Sequence, residues 1–487
     1  MTDRATLLPS SGPAEGSGRK VTTNRRFSTL ADAIALHAGA ESASFHTPGH
    51  KGRSPADFAS FFDAHPRQAD LTELPGLDDL SCPTGVLRDL EARAAGIWGA
   101  AESIISVNGA SAALEATMLA LAAHGTTVLV PRNAHRSIIH GLVLSGLFPL
   151  WYEPVWDDEW GLWGSVAATS VERLLERLGS ETAGLIIVSP TYAGAISDIQ
   201  AIAGLCRDYG IPLVVDEAHG AHFVPKTTMP VSAVGLADVT VHSLHKTLPA
   251  LTQTGLLHIR RNSLLVPDAL RSTMQLLQSS SPSYLLMASI EQALQQVELQ
   301  QAQESIGRLD CLCRQLREAV SNLPEYTCYA PPAGSDPSHI LLGCPGRQPE
   351  QLYGFLAERG IFAETILGNG VLFMLGLGTT AADVQLLTAA LSDFGADVMA
   401  EPAGVSAFVG MPPPAPRPSE IVQILSPRQA FMMPATVVPV NDSVGRISQA
   451  TIAPCPPGTP LLVAGQRVPA EILECAGLQS LRVVVDD

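Results

Sequence analysis

One lysine in the sequence lies in surroundings that are unusual for a lysine. The stretch VHSLHKTLPALTQTG, residues 241–255, places Lys246 among apolar, small and hydroxyl-bearing residues, and the flanking charged residues are Asp238 and Arg260. A surface lysine usually has other charges nearby because its ammonium group is strongly hydrated. Two interpretations are open: a lysine whose ammonium reaches solvent from the end of a strand, or a reactive amine held in a cleft.

A carboxylate precedes this lysine by thirty residues. Asp216 ends the apolar run in PLVVDEAHG, where a buried carboxylate is costly unless it has a partner. An aspartate at this point could instead cap the next turn. Asp216, Glu217, His219 and His222 could also be interpreted as metal ligands, but the group is local and lacks a distant ligand, so we predict no metal site.

Two further turns carry residues that could contact a ligand. NGAS, residues 108–111, joins a predicted strand to a predicted helix, and its small residues would let backbone N–H groups approach a phosphate at the helix start. His135, in PRNAHRSIIH, begins another predicted helix. Each signal is weak alone, because small-residue turns are common and a lone histidine usually packs or caps.

The elements that carry these four turns predict a parallel sheet. From about residue 100, apolar runs of four to six residues alternate with amphipathic helices. This pattern is typical of a largely parallel sheet covered on both faces. Ligands bind such sheets where strands end and helices begin. The four turns would together supply an anion site, a carboxylate, an amine and a flat aromatic ring, which is the set that pyridoxal phosphate requires.

The remaining sequence predicts further units. Helical spacing of apolar residues over 283–320 predicts one long helix that connects two domains, and the proline-rich stretch 410–419 marks a later boundary. The predicted units are a disordered tail over 1–26, a large domain with its N-terminal segment over 27–305, a small α/β domain over 306–405 and a C-terminal domain over 406–487.

Composition limits the classes of partner. The 487 residues carry a formal net charge of −17 without a basic tract, which argues against a nucleic-acid partner. Eight cysteines without a CxxC pair favour a reducing compartment over a disulfide framework or a zinc site. Neither a signal-peptide core nor a run of ~20 apolar residues is present. We therefore expect a cytoplasmic protein without a membrane partner.

Several motifs occur in an order that resembles one enzyme family. They are FHTPGHKG (45–52), VNGAS, PRNAHRS, DEAHGAH, SLHKTL, QSSSPSY, SPRQAF, VGRIS and PPGTPLLV. Together they resemble the pyridoxal-phosphate-dependent ornithine/lysine/arginine decarboxylases of the aspartate-aminotransferase fold, in the short form without an N-terminal wing domain. The resemblance extends from about residue 27 to 475. It implies an α/β fold with a large, mostly parallel-sheet cofactor domain, a smaller α/β domain and a small C-terminal α+β domain.

The resemblance also implies roles for individual residues. Lys246 would hold the cofactor covalently, Asp216 would pair with its ring nitrogen, and His135 would stack on its ring. His245 or Lys246 would return a proton to Cα after CO2 leaves. The other implied cofactor-binding residues are Gly109, Ala110, Ser111, Ala218, His219, Ser243 and Ser280. Ser280 resembles the segment that reaches a neighbouring subunit's phosphate, so the implied site needs at least a homodimer.

The implied reaction converts a basic amino acid, which is arginine, lysine or ornithine, into its amine and CO2 as a step towards polyamines. Glu73, Asp78 and Asp79, in DLTELPGLDDLSCPTG, belong either to a solvated acidic loop or to a site for the substrate's distal cation, supplied by the same or a neighbouring subunit. This chain has Cys455 and Gln466 where relatives commonly have Tyr and Glu. The resemblance places the glutamine position in a region that shapes the substrate end of the site.

Two other functions are open. Another enzyme of the same fold, an aminotransferase or an aldolase, could use the same cofactor; aminotransferases usually clamp the substrate α-carboxylate with an arginine, and Arg347 and Arg359 look like ordinary solvated positions. A catalytically silent, decarboxylase-like regulator is the second alternative. The presence of Lys246, Asp216 and His135 argues against it, because a silent protein has no physical need for all three.

Overall fold

The computed structural model describes residues 29–30, 34, 37–38, 42–53, 64–178, 181–400, 422–454, 458–470 and 478–485. The predicted tail over 1–26, the proline-rich stretch 410–419 and Cys455 lie outside these described residues.

The described residues form strands and helices in the following order. The strands are β1 (Ala43–Phe45), β2 (Glu102–Ser106), β3 (Thr127–Pro131), β4 (Phe148–Tyr152), β5 (Trp156–Asp157), β6 (Leu162–Trp163), β7 (Leu185–Val188), β8 (Leu213–Asp216), β9 (Val239–Ser243), β10 (Gly255–Ile259), β11 (Thr327–Cys328), β12 (His339–Gly343), β13 (Ile361–Ala363), β14 (Thr365–Leu367), β15 (Gly370–Met374), β16 (Ala435–Pro439) and β17 (Ser480–Val484). The α-helices are α1 (Pro66–Ala69), α2 (Val86–Trp98), α3 (Gly109–Leu121), α4 (Arg136–Ser145), α5 (Ala168–Leu178), α6 (Ile199–Tyr209), α7 (Leu244–Thr247), α8 (Pro267–Leu277), α9 (Tyr284–Gln295), α10 (Leu299–Ser321), α11 (Pro349–Glu358), α12 (Ala381–Ala400) and α13 (Pro427–Met432), and Val440–Ser443 forms a 3₁₀ helix.

A seven-stranded sheet forms the centre of the large domain, in the order β2-β10-β9-β8-β7-β3-β4. The strands from β9 to β4 are parallel, and β10 runs antiparallel to both β2 and β9. Side chains of α3, α4 and α8 pack on one face, and those of α5 and α6 pack on the other. Burial from both sides explains why β7 and β8 are almost wholly apolar. The predicted sheet is confirmed.

The small domain contains the antiparallel sheet β11-β12-β15-β14. The helices that lead into this domain differ from the prediction. The predicted single helix over 283–320 was wrong, because α9 and α10 are separate. Glu298 has extended backbone (φ −70°, ψ 151°) at the start of α10, and Ser305 donates to the carbonyl of Gln296 at 2.7 Å. In the N-terminal segment, β1 pairs with β13 of the small domain.

The FHTPGHKG segment packs against the short helix α7. The Gly49 N–H donates to His245 O at 2.7 Å, and Gly378 N–H donates to Gly49 O at 2.9 Å. A Cβ atom at Gly49 would lie 2.5 Å from the backbone carbon of Thr247, so a side chain cannot fit between the two segments. This close backbone contact fixes α7, which carries Lys246, from the small-domain side.

The C-terminal unit docks on both ends of α4 and on β4. Arg428 Nε donates to Val143 O at 2.7 Å, and Trp151 Nε1 donates to Gln423 Oε1 at 3.0 Å. The Arg136 N–H donates to Gly458 O at 2.9 Å. The last of these contacts places Gly458 beside His135, the residue that precedes α4.

The acidic loop before α2 is ordered by one of its own carboxylates. Asp78 accepts backbone N–H groups from Thr84, Gly85 and Leu87 at 2.7–3.2 Å. Slight burial raises the pKa of Asp78, but these donors outweigh it and lower the pKa to about 2. The carboxylate of Asp79 instead accepts from Ser81 alone among the described residues. Asp78 therefore has a structural role at the start of α2.

We predict that Asp78→Asn lowers the melting temperature of the protein at pH 7. Asparagine tolerates the left-handed backbone of this position (φ 68°), but its amide replaces one accepting oxygen by a donating NH2 group. The variant therefore loses the charge and part of the hydrogen bonds, worth about 1 kcal/mol. Because folding lowers this pKa from 3.8 to about 2, the stabilisation is present above pH ~4 and is lost as the pH falls towards 2. Calorimetric melting should show a difference in melting temperature between the parent protein and the variant that is smaller at pH 3 than at pH 7. Asp79→Asn is the control, and an equal loss in both variants would contradict this role.

Candidate active site

A cavity of about 560 Å³ opens at the carboxyl edge of the seven-stranded sheet. The last residues of β7, β8 and β9, which are Val188, Asp216 and Ser243, all line it. Parallel strands end at the same edge, so their terminal side chains meet there. The volume is in the range of small-molecule sites.

The structure brings most of the predicted site residues into this cavity. They are Gly109, Ala110, Ser111, His135, Asp216, Ala218, His219, Ser243, His245 and Lys246. Ser280, Glu73 and Asp79 line a second cavity of about 290 Å³, and Asp78 caps α2. Within one chain, the first group therefore forms one site, and the residues predicted to act across subunits lie together elsewhere.

Lys246 is half-buried in α7, directly after β9. Its Nζ lies 2.9 Å from Nε2 of His219, and its side chain lines the cavity. Of the two interpretations of the opening stretch, the structure favours the amine held in a cleft. His219 in turn makes an edge contact with the ring of Tyr192, at 4.9 Å between centroids.

Asp216 is buried at the end of β8. Its Oδ1 accepts the N–H of Ala218 at 3.1 Å. Burial raises the pKa of Asp216, and the Lys246 ammonium and the Ala218 N–H only partly offset this rise. A cationic group bound in the cavity would stabilise the ionised carboxylate, because opposite charges favour each other's charged forms.

His135 presents a neutral ring to the cavity. Its Nδ1 accepts the N–H of Ser137 at 3.3 Å at the start of α4. Burial, followed by the charge of Lys246, lowers the pKa of His135 to about 3. Behind the ring, a Cβ atom at Gly458 (φ +80°) would lie 2.9 Å from His135 Cδ2. The C-terminal unit therefore holds the ring from the side opposite to α4.

His245 and the start of α3 form the third part of the site. His245 Nδ1 lies 3.2 Å from Thr254 O, which can only accept, so Nδ1 carries the proton and Nε2 is an acceptor. Burial lowers the pKa of His245 to about 4. The first turn of α3, Gly109–Ser111, has N–H groups without partners inside the helix, as every helix start does, and this turn suits a phosphate.

Sequence analysis missed several cavity residues. Trp156 and Trp163 form a cross-strand pair on the β5–β6 hairpin, with ring centroids 4.8 Å apart. This hairpin is too short for a strand pattern, so the sequence did not reveal it. Tyr192 could have been found, because it follows the end of β7. Asn133 also lines the cavity, and both polar atoms of its amide are buried without a protein partner in the described residues.

Gln466 lies next to the segment that lines the cavity and not in the cavity wall itself. Its side chain is buried, and its Oε1 accepts the N–H of Val463 at 2.9 Å. Gln466 is not among the described residues that line the cavity. It supports the turn that follows Thr459–Leu461, whose residues do line the cavity, so its effect on a substrate would be indirect.

The residues of the cavity fit pyridoxal phosphate. Lys246 supplies an amine, and Asp216 supplies a buried carboxylate that could pair with a cationic ring nitrogen. His135 supplies a flat neutral ring, and the start of α3 supplies an anion site. In the described part of the chain, no three His, Cys, Asp or Glu side chains are grouped to hold a metal ion. A search of the same residues finds no helix that is both long and apolar enough to cross a membrane.

Comparisons with known proteins agree with this geometry. The family model "Orn/Lys/Arg decarboxylase, major domain" matches residues 28–335. An uncharacterised Bacillus subtilis protein, YaaO, is 33% identical over 91% of this chain and 92% of its own length. An arginine decarboxylase of Bacillus cereus is 31% identical over 90% of this chain and 96% of its own length.

Solved structures agree in fold. The Francisella novicida lysine decarboxylase LdcF has a TM-score of 0.72 at 19% identity and covers 93% of this chain and 80% of its own chain. This likeness confirms the predicted fold class. The family match and the identities confirm the resemblance seen in the motifs: the chain belongs to the Orn/Lys/Arg decarboxylase family, a family of pyridoxal-phosphate-dependent amino-acid decarboxylases.

Proposed function

We propose that this protein decarboxylates a small basic amino acid, which is arginine, lysine or ornithine, to its amine and CO2. The observation that carries the proposal is the meeting of Lys246, Asp216 and His135 in one cavity. The name of the Bacillus cereus relative supports a basic substrate. The amine products are precursors of polyamines, and the proposed location is the cytoplasm.

The proposed cofactor is pyridoxal phosphate, held by the residues of this cavity. Lys246 would bind it covalently through Nζ, Asp216 would hold the proton of its ring nitrogen, and His135 would lie on its ring. Its phosphate would be bound by the start of α3 with Ser111 and Ser243, and His245 would lie beside it. When bound, the cofactor supplies an electron sink for the pair of electrons left by the departing carboxylate.

The protein must exclude water from the carboxylate and return a proton to Cα. Trp156, Trp163 and Tyr192 provide an aromatic wall on the cavity, and a dry wall favours loss of a charged carboxylate. Of the two predicted proton donors, the geometry favours Lys246. The pKa of His245 is lowered to about 4, so at neutral pH the ring carries one proton. That proton lies on Nδ1 and faces Thr254 O, so it is not available to the substrate.

The distal cation of the substrate needs a second carboxylate. Asp216 is the acidic residue among the described lining residues, and the proposed role of Asp216 is at the cofactor. Glu73 and Asp79 line the second cavity together with Ser280. We propose that this face reaches the active site of a second copy of the chain, so that the enzyme works as a homodimer with each acidic loop near the other site.

The alternative functions have less support. An aminotransferase would need an arginine for the α-carboxylate, and the described residues that line the cavity include no arginine. The guanidinium of Arg359 lies 3.4 Å above the ring of Phe355 on α11, away from the lining residues. A silent regulator would not require the buried charges of Lys246 and Asp216 in the same cavity.

We expect the purified protein, supplied with pyridoxal phosphate, to release CO2 and the matching amine from at least one of arginine, lysine and ornithine. Leucine, which lacks a distal cation, should not react. Lys246→Ala should remove the activity, because no amine remains to bind the cofactor covalently. Chromatography of the amine together with a CO2 assay checks this. Release of a keto acid in place of an amine would indicate an aminotransferase.

We expect Asp216→Asn to keep the fold and to lose two to three orders of magnitude in kcat, which is about 3–4 kcal/mol of transition-state stabilisation. The amide carries no charge, so the cationic ring nitrogen is no longer stabilised. Steady-state kinetics and thermal melting provide the measurement. Asp198→Asn, which changes an exposed helix cap of α6, is the matched control. Near-normal turnover of Asp216→Asn would show that the ring nitrogen has another partner.

We expect Glu73→Gln or Asp79→Asn to raise KM for the cationic substrate at least tenfold, about 1.4 kcal/mol, and to leave the absorbance of the bound cofactor unchanged. Loss of one partner of an ion pair across an interface weakens binding without altering the cofactor's own contacts. Asp208→Asn, an exposed change on α6, is the control. If both variants and their double combination change KM by less than about twofold, ~0.4 kcal/mol, the loop does not bind substrate.

A further inference from the structure

A row of buried polar groups leads from Lys246 into the boundary between the two domains. Lys246 Nζ lies 2.9 Å from His219 Nε2, and His219 Nδ1 lies 3.0 Å from His339 Nε2. His339 Nδ1 lies 2.8 Å from Asp336 Oδ2. His219 follows β8 of the large domain, whereas Asp336 and His339 belong to the loop and first residue of β12 in the small domain.

Asp336 is a fully buried carboxylate with several donors. Its Oδ1 accepts from Ser338 N and Ser338 Oγ at 2.8 Å and lies 3.0 Å from His222 Nε2. Burial raises the pKa of Asp336, but His222 and His339 outweigh it and hold the pKa well below its usual range. The group is therefore ionised, and it acts as an acceptor towards every neighbour.

An ionised Asp336 fixes the direction of the whole row. A neutral imidazole carries one proton, so a donor at one nitrogen makes the other nitrogen an acceptor. His339 Nδ1 lies 2.8 Å from Asp336 Oδ2 and 3.2 Å from Ser338 Oγ, and the carboxylate favours a proton on this nitrogen. When His339 carries that proton alone, its Nε2 is left to accept from Nδ1–H of His219. His219 Nε2 then presents a lone pair to Lys246. Burial, followed by the charge of Lys246, lowers the pKa of His219 well below its usual value, so this imidazole is neutral.

We propose that Asp336 and His339 are positioning residues that make His219 a hydrogen-bond acceptor for Lys246, and that this keeps a proton on the lysine amine once it is free. A fixed acceptor beside Nζ favours the ammonium form, because that form donates to it. The inference rests on the proposed function in one respect only: the retained proton is the one that Lys246 would return to Cα. The polarity of the row itself does not depend on the reaction.

Other groups also face this row and must be kept constant in a test. Around Lys246 and His219 they are Asp216 on β8, His135 before α4, His245 on α7 and the ring of Tyr192. Around Asp336 they are His222, Glu217, and Cys313 and Arg317 on α10. The Asp336 and His339 variants below leave all of these side chains in place, and Glu217 is changed only in a separate control.

The experiment measures the protonation of Lys246 directly in the cofactor-free full chain. The sequence contains four lysines, so acetylation by acetic anhydride between pH 6 and 10, followed by peptide mass mapping, gives a labelling curve for each. Asp336→Asn reverses the direction of the hydrogen bonds in the row. The new amide can donate to His339 Nδ1, which moves the proton of His339 to Nε2. His219 Nδ1 then accepts that proton's hydrogen bond, and the His219 proton lies on Nε2, where it points at Lys246 Nζ. The midpoint of the Lys246 curve should fall by about one pH unit, a tenfold faster labelling in the acidic range. The exposed Lys226 is the internal reference.

Two further comparisons distinguish an effect of the hydrogen-bond direction in the row from general destabilisation of the protein by a mutation. His339→Leu removes the acceptor and should shift the midpoint in the same direction, whereas His339→Gln offers a carbonyl oxygen to His219 and should retain the original curve. This pair decides the question if Asp336→Asn does not fold. Glu217→Gln alters a second buried carboxyl–histidine row, Glu217–His242–His258, that does not include Lys246, and should leave the curve unchanged.

In the loaded enzyme, Asp336→Asn should lower kcat about tenfold and leave KM within twofold. Unchanged labelling midpoints in Asp336→Asn and His339→Leu, in variants that melt cooperatively, would overturn the proposal whatever the activity. A shifted midpoint without any decarboxylation by the parent protein would leave the row established and would reject the proposed function instead.

Discussion

The removal of charged groups from water at the carboxyl edge of the sheet is the constraint on which the site depends. Asp216 is buried and Lys246 half-buried beside one cavity, and each would be costly there alone. The opposite charges of the two groups offset part of this cost. Asp216 ends β8, the neighbouring strand β9 leads directly into α7 with Lys246, and the FHTPGHKG segment holds α7 through direct backbone hydrogen bonds. The same burial keeps His135 and His245 neutral, so charge in the cavity is confined to the groups that the chemistry uses.

Glu217 and Asp336 are two buried carboxyl groups near the site whose ionisation states differ because their neighbours differ. Burial raises the pKa of Glu217 to about 8 in spite of Ser232 and the Ala233 N–H, and Asp336 adds to the rise. Asp336 is equally buried, but two histidines and Ser338 hold it ionised. At neutral pH Glu217 is therefore mostly protonated and Asp336 is not. The ionised group is the one whose row leads to Lys246, whereas the row from Glu217 ends at Ser103 within the core.

The sequence was most informative where a local pattern has one physical meaning. The bounds of α6 at Asp198 and Gly210 are an example, because an N-cap and a left-handed C-cap are local features. The strand ends before Asp216 and Lys246 were found for the same reason. The break at Glu298 was missed because helical spacing continues across it, and Trp156 and Trp163 were missed because a two-residue strand has no period. The partnership of His219 with His339 joins positions 120 residues apart, which no local pattern can reveal in a single sequence.

The row from Asp336 also connects the lysine to the arrangement of the domains. Its two halves come from different domains, and His219 Nδ1 and His339 Nε2 meet at 3.0 Å across the boundary. Gly194, beside this point, has no room for a side chain, since a Cβ atom there would lie 2.7 Å from His339 Cβ. Because a hydrogen bond weakens steeply with distance and angle, the contact between the two imidazoles depends on the relative position of the two domains. In the same arrangement the small domain contributes Leu367 to the cavity wall. The proposed control of the Lys246 proton therefore depends on contacts between the domains as well as on residues of the cavity.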